Sequence, residues 1–537
     1  MDNRKKILGV MIDCSRDAVM NVTALKRFID VLSRFGYNML QLYTEDTYEV
    51  QDEPYFGYLR GRYTGAEIKE IDNFARSKGI ELVPCIQTLA HLNQIMFWPE
   101  YRDVNDCNDI LLVDNERTYQ LIENMFKTLK ENFTSKKVNI GMDEAHMLGL
   151  GKYLDKHGYK NRFDIILKHL KIVCEIATKY GFKPMMWSDM FFRLANKGNY
   201  YVSNKNISEE IINTVPKEVD LVYWDYYSED ENRYDSMLKS HKQFNNDIWF
   251  AGGLWSWRGF VPHNNYSIQT TKAAMTACNN NGINNIFVTM WGDNGGECSY
   301  FSLLPSLFYT AELSKGNYDD KLIKEKFKKI TELDFDEYLN VDLPDIIGKE
   351  RITTQNPSKY MLYNDFFTGI LDSTVKENDK NRYKKYAKIL KDFDKSSEYY
   401  YIFECYSVLC DCLFTKYDLG VKTRKAYKEK DVEGLKTLIK QYTKFNKQLK
   451  IFYQKFKELW FKENKPNGFE IHEIRLGGLM LRAESCKARL QDYIDNKIEK
   501  IEELEEDILD FTGKGKNFDE KLIINNNYKQ SVSVNIL

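Results

Sequence analysis

Short apolar runs alternate with amphipathic stretches through the first three fifths of the chain. ILGVMIDC (7–14) reads as a strand, and VTALKRFIDVLSRFG (22–36) as an amphipathic helix closed by Gly36. MLQLYTE (39–45) and the helix GAEIKEIDNFARSKG (65–79) repeat the cycle, followed by ELVPCIQT (81–88), a longer loop and the helix TYQLIENMFKTLKENF (118–133). KVNIGMDE (137–144), KPMMWSD (183–189), VDLVYWDYY (219–227), DIWFAGGLWSW (247–257) and NNIFVTMWGD (284–293) read as the fourth to eighth strands. Strands that alternate with helices form parallel βαβ units, and strands apolar on both faces suit a buried parallel sheet. About eight such units in roughly 300 residues is the size of a (β/α)8 TIM barrel. A doubly wound open sheet would gather its ligand residues near one switch point. Here polar and aromatic residues recur after most strands, which favours the barrel.

The periodicity then changes. YKKYAKILKDF (383–393), EYYYIFECYSVLCDCLFTKYDL (398–419), VEGLKTLIKQYTKFNKQLKIFYQKFKELWF (432–461) and LMLRAESCKARLQDYI (479–494) have helical spacing. The expected organisation is a catalytic barrel over 1–320, a junction over 321–354, an all-α helical domain over 355–511 and a polar tail over 512–537. The final SVSVNIL alternates like a short edge strand. The helical domain is expected to buttress the barrel or to make a homodimer.

Composition removes several functions. The 77 Lys plus Arg balance 79 Asp plus Glu, so no basic footprint points to nucleic acid. No apolar stretch is long enough to cross a bilayer, and the brief apolar run before Asp13 is too short for a signal-peptide core. Ten scattered cysteines without a CxxC pair suit a reduced, cytoplasmic chain, with Cys410 and Cys412 as core residues. The letters DEAH at 143–146 would mark a helicase only beside a phosphate loop G-x-x-x-x-G-K-[ST], and none precedes them. With no H-E-x-x-H and seven His spread along the chain, no metal and no cofactor are expected.

In a parallel barrel, strand C-termini and the loops after them build the active site. At those places stand Asp13 and Arg16, Glu45 and Asp46, His91, Asp143 and Glu144, Trp187 and Asp189, and then Trp224, Asp225, Tyr226 and Tyr227. Trp255 and Trp257 follow the seventh strand; Trp291, Asp293 and Glu297 follow the eighth. Singly, each has a bland account: a tryptophan is core, a strand-end Asp is a helix cap, an Arg pairs with an acid. Yet five of the eight tryptophans collect at one end of the predicted barrel together with acids and an Arg. A pyranose needs that combination, aromatic faces for its C–H surface and charged groups for its hydroxyls.

NIGMDEAHMLGLG (139–151) resembles the signature of the family 20 glycoside hydrolases, the β-N-acetylhexosaminidases, which end strand four with an Asp-Glu pair after a glycine. GVMIDCSRD (9–17), with its Arg after strand one, the acidic pair after strand two, His91 and the Trp-rich later strand ends extend the likeness over the first 320 residues. ELWFKENKPNGFEIHEIRLGGLMLR (458–482) is similar to a segment of a bacterial subgroup with a helical C-terminal domain. The resemblance implies an exo-acting, retaining enzyme that removes terminal β-linked N-acetylhexosamine from an oligosaccharide or glycoconjugate, with the substrate's own acetamide as nucleophile. It implies Glu144 as general acid and base, Asp143 as the acetamide's partner, and His91 with Glu45 or Asp46 as a relay behind the acid. It further implies Arg16, Asp293 and Glu297 around the sugar hydroxyls, and Trp187, Trp224, Trp255, Trp257 and Trp291 around the ring. The family's strand-seven Tyr, which bonds the acetamide carbonyl, is missing from GGLWSWRG (252–259); Tyr226 or Tyr227 on strand six could replace it, and alternation favours Tyr226. A retaining two-carboxylate glycosidase with Asp189 or Glu297 as nucleophile, and a silent sugar-binding protein, are the alternatives.

Overall fold

The computed structural model describes residues 6–196, 198–201, 207–348, 351–376, 379–511, 513 and 527–535. Eight parallel strands close into a barrel: β1 (Ile7–Asp13), β2 (Met39–Tyr43), β3 (Glu81–Cys85), β4 (Lys137–Asn139), β5 (Lys183–Trp187), β6 (Asp220–Trp224), β7 (Ile248–Gly253) and β8 (Asn285–Met290). Each strand pairs with its sequence neighbour, and β1 closes the ring on β8, with Ile12 opposite Met290 and Asp13 opposite Tyr43 of β2. The open-sheet alternative is thereby excluded. Nearly every strand residue is buried, as the unbroken apolar runs require.

Local signals set the helix ends. Asn21 caps Val22–Phe35, and Gly36 at φ 93° stops it with the left-handed turn that glycine adopts readily. Thr64 and Glu67 form a reciprocal capping box on Gly65–Ser77.

β4 departs from expectation. KVNIGMDE reads as one strand, but the regular strand ends at Asn139, whose side chain accepts the Gly141 N–H at 3.0 Å, with two last backbone bonds to β5, at Ile140 and Gly141, beyond it. Gly141 then turns at φ 72° and Met142 at φ 69°. A Cβ on Gly141 would stand 2.0 Å from Gln87 Oε1, so only glycine fits. Asp143 and Glu144 therefore sit on an irregular segment beyond the strand.

The chain divides into two compact units. The first holds the barrel: residues up to Leu254, Ser267–Trp291 and Ser306–Ile323. The second comprises Trp255–Tyr266, Gly292–Pro305 and everything from Lys324 onward. Its core is built on Tyr400–Lys416, Val432–Glu463 and Phe469–Ile494. Along the second of these helices Leu435, Leu438, Tyr442, Phe445, Leu449, Phe452, Phe456 and Leu459 are buried, spaced alternately by three and four residues. That is the narrow apolar seam of a helix packed between helices. Cys410 and Cys412 are buried in this core. The tail differs from its expected edge strand: Tyr528–Val532 is a short helix capped by Asn527, and residues 536–537 lie outside the described set. Among the described residues no helix is long and apolar enough to cross a membrane.

Candidate active site

The loops after β1 to β6 bring the candidate residues together. Asp143 is buried. Its Oδ1 accepts a hydrogen bond from Gln87 Nε2 at 2.7 Å, and its Oδ2 lies 3.2 Å from His91 Nε2. Gln87 is itself fixed, accepting the Met142 N–H at 3.1 Å and donating to the Tyr43 hydroxyl at 3.0 Å. Burial alone would raise the Asp143 carboxyl, but His91 and Gln87 outweigh it and hold it below the usual range. Burial would likewise lower the His91 imidazolium; Asp143, with Glu45 behind it, instead pushes it up to about 10. The Nε2 makes no well-aligned hydrogen bond, so the attraction is chiefly Coulombic.

Glu144 is the open member of the pair, its side chain 40% exposed. Its Oε2 is 3.9 Å from His91 Nε2 and its Oε1 is 3.7 Å from Arg193 Nη2. The backbone N–H of Glu144 donates to Asp189 Oδ2 at 3.2 Å. Glu144 at φ 49°, His91 at 58° and Glu45 at 44° all occupy the left-handed region. A residue other than glycine there costs roughly 1–2 kcal/mol, a strain that clusters at functional sites.

The acidic pair after β2 divides. Glu45 is buried, accepts the Tyr43 hydroxyl at 2.9 Å and pairs with Arg16 Nη1 at 2.9 Å; burial pushes its carboxyl up to about 7 against the pull of Arg16. Asp46 turns instead to Arg60, 3.4 Å away. The contact expected between His91 and one of these two acids is thus replaced by direct contact with Asp143; Glu45 acts on His91 only at longer range.

Aromatic rings complete the group. Trp291 packs edge-on against Tyr43 with centroids 4.8 Å apart and lies 6.1 Å from Trp187. Its Nε1 donates to the Tyr226 hydroxyl at 3.2 Å, and Tyr226 stacks on Trp224 at 5.4 Å. Tyr227 turns outward, 42% exposed. Among the described residues no cluster of His, Cys, Asp and Glu could hold a metal ion.

Residues 8–246 match the model of the glycosyl hydrolase family 20 catalytic domain, and residues 334–523 match that of the glycoside hydrolase 20C C-terminal domain. The chain belongs to glycoside hydrolase family 20. Among curated relatives, Arabidopsis thaliana beta-hexosaminidase 3 is 24% identical over 208 residues, 36% of this chain and 38% of that protein. Bos taurus hexosaminidase D is 25% identical over 228 residues, 39% of this chain and 60% of that protein. The matched regions therefore span less than two thirds of these relatives. Of the solved structures, Flavobacterium johnsoniae chitobiase is 16% identical over 94% of this chain and 74% of its own, with a TM-score of 0.47. The Vibrio harveyi exo β-N-acetylglucosaminidase bound to N-acetylglucosamine is 17% identical over 61% of this chain and 57% of its own, with a TM-score of 0.46.

Tyr226 depends on a neighbouring glycine for its room. A Cβ on Gly253 of β7 would stand 2.6 Å from the Tyr226 Cβ and 2.7 Å from its ring. The bare glycine makes the room that Tyr226, arriving from β6, occupies.

Four expected site residues lie in the second unit. Trp255 and Trp257 are buried there, their rings 4.9 Å apart, with Tyr266 edge-on to Trp255 at 4.7 Å. Glu297 is buried there, one oxygen 2.6 Å from Lys359 Nζ and the other 3.2 Å from Arg475 Nη1. Asp293 is part-exposed on the same segment. Sequence reading passed over Gln87, Tyr43 and Arg193. Gln87 and Tyr43 stand at or just past strand ends and were within reach of that rule; Arg193 lies inside the helical segment Asp189–Ala195, where no strand-end rule looks.

Proposed function

We propose that this chain is a β-N-acetylhexosaminidase that removes terminal non-reducing GlcNAc or GalNAc and retains configuration by substrate assistance. One observation carries the reading: the two adjacent carboxyls have unequal surroundings, Asp143 buried and held ionised, Glu144 open to solvent. The acetamide carbonyl oxygen attacks C1 while Glu144 gives its proton to the departing glycosidic oxygen. Asp143 accepts the acetamide N–H, aims the carbonyl at C1 and offsets the charge of the oxazolinium ion. Glu144, now a carboxylate, takes a proton from water as that water attacks C1, which reopens the ring and restores the acetamide. Well-oriented intramolecular attack has an effective molarity on the order of 10⁵–10⁸ M. Tyr226 is assigned to the acetamide carbonyl, Trp187, Trp224 and Trp291 to the ring, and Arg16 to the sugar hydroxyls.

The two-carboxylate alternative loses support because Asp189 is fully buried behind Glu144 and Glu297 is enclosed by two cations. Hydrolysis of 4-nitrophenyl N-acetyl-β-glucosaminide or its galacto epimer, with strong inhibition by a thiazoline analogue of the oxazolinium ion, is the expected result. Folded protein that cleaves neither glycoside defeats the reading. Cleavage without thiazoline inhibition returns the nucleophile to a protein carboxylate.

A further inference from the structure

Asp189 has no part in the reaction just derived, yet it is fully buried and touches the proton donor. Its Oδ2 accepts the Glu144 backbone N–H at 3.2 Å and pairs with Arg193 Nε at 3.1 Å, while its Oδ1 is buried with no hydrogen-bond partner. A half-satisfied buried carboxyl costs free energy, which a purely structural role gives no reason to retain. Arg193 links the two acids, because the far end of its guanidinium stands 3.7 Å from Glu144 Oε1. The guanidinium also lies over the ring of Tyr200, 5.7 Å from its centroid, and the Tyr200 hydroxyl accepts the Trp224 N–H at 3.1 Å. The clamp is therefore continuous with the aromatic residues around the sugar.

We propose that Asp189 and Arg193 are positioning residues that together set the proton affinity of Glu144, Arg193 favouring its carboxylate and Asp189 its acid form. This rests on the reading of Glu144 as the proton donor. Two neighbours of opposite sign suit a group that must hold a proton in the first half of the cycle and lose it in the second. When the proton moves to the leaving oxygen, the new charge on Glu144 appears beside the guanidinium. When water gives the proton back, the guanidinium's remaining partner is Asp189. No net proton enters or leaves. Burial, reinforced by Asp143 and Glu144, pushes the Asp189 carboxyl up to about 7 against the pull of Arg193. The other groups facing Glu144 are His91 at 3.9 Å, Asp143 beside it in the chain, and the Tyr226 phenol, which senses its charge.

The test is the basic limb of kcat against pH, which follows loss of the donor's proton. The substrate is N,N′-diacetylchitobiose, whose sugar-alcohol leaving group needs that proton. With the cation beside the donor removed, Arg193→Gln should move the limb to higher pH. With the anion removed, Asp189→Asn should move the limb to lower pH. Arg193→Lys should leave it near the wild-type position. Limbs that coincide, or that move the same way in both variants, overturn the assignment, since a merely structural role lowers kcat without opposite shifts. Should Asp189→Asn not fold, the contrast between Arg193→Gln and Arg193→Lys decides alone. A wild-type protein with no turnover refutes the proposed activity instead. The clamp is then judged by the ¹³C titration of the Glu144 carboxyl, assigned by its loss in Glu144→Gln, with the same opposite shifts expected and their absence decisive against it.

Discussion

Two clusters of buried charge, one in each unit, have opposite construction. In the second unit a single carboxylate, Glu297, meets two cations, and Lys359 and Arg475 also bond to the Asn294 carbonyl at 3.3 and 2.8 Å. Burial lowers the Lys359 ammonium, Glu297 opposes that and Arg475 reinforces it, so cations outnumber carboxyls in this enclosed group. In the barrel, Asp13, Glu45, Asp46, Asp143, Glu144 and Asp189 share Arg16, Arg60, His91 and Arg193. Carboxyls are in excess, two of them are pushed up to about 7, and three residues hold left-handed backbone. The enclosed cluster stabilises a fold. The unmatched carboxyls of the barrel have shifted proton affinities, as perturbed groups at functional sites generally do.

The widest break between the clusters should come from one isosteric change in each. Glu144→Gln removes the proton donor and should lower kcat by about 10²–10⁴-fold, with the melting midpoint and the affinity for N-acetylglucosamine retained. Steady-state kinetics beside a thermal melt and a binding titration read all three. Glu297→Gln should do the converse, because Lys359 keeps a buried charge with its counter-ion gone; breaking such a pair costs about 3–5 kcal/mol. A urea or thermal midpoint unchanged by Glu297→Gln would show that the second cluster carries no such load.

The contrast also explains what could be read from the sequence. The barrel was legible because its strands are apolar on both faces and recur with helices of the right length. The Asp143–Glu144 pair was legible because two adjacent acids after a glycine have no use in a buried strand. A strand-end rule records an acid such as Glu297 but not what surrounds it. Lys359 and Arg475 lie 62 and 178 residues further on, and only tertiary structure joins them to Glu297. β4 was read too long because apolar letters continue through Ile140 and Met142, while the Asn139 side chain and the Gly141 turn end the regular strand. Tyr226 was legible through alternation alone, but the reason for its place, the missing Cβ of Gly253, required the neighbouring strand.

That glycine provides a finer probe of the unmatched cluster. Gly253→Ala puts a methyl 2.6 Å from the Tyr226 Cβ and 2.7 Å from the base of its ring, so the tyrosine must shift. Overpacking of this kind typically costs about 1–3 kcal/mol. If Tyr226 holds the acetamide carbonyl, kcat/KM for N-acetylated substrates should fall about tenfold, whereas Gly253→Ala and Tyr226→Phe, Gly253→Ala should lose melting midpoint alike, since Phe keeps the Cβ and ring that the methyl meets. In that double variant the phenol is already gone, so adding the methyl to Tyr226→Phe should cost little further activity. Additive losses in the double variant would separate Gly253 from the role of Tyr226.

The smallest effect tests the His91–Asp143 contact through stability. The folded imidazole titrates at about 10 against an ordinary value of 6.5. A raised folded pKa means that the folded state binds more protons than the unfolded one between those two values. The contribution of His91 is therefore complete below pH 6.5 and declines as pH rises through about 10, by at most about 1.4 kcal/mol per pH unit. Asp143 runs in the other sense: its depressed pKa stabilises the fold above the ordinary carboxylate range and loses that effect in acid. The pair is thus strongest in mildly acidic solution. His91→Gln should lower the thermal midpoint most near pH 6 and progressively less toward pH 10. Midpoint curves for the two proteins that run parallel across that range would mean that His91 is neutral in the folded chain, and that hydrogen bonding, with Gln87 as donor, rather than a cation holds Asp143.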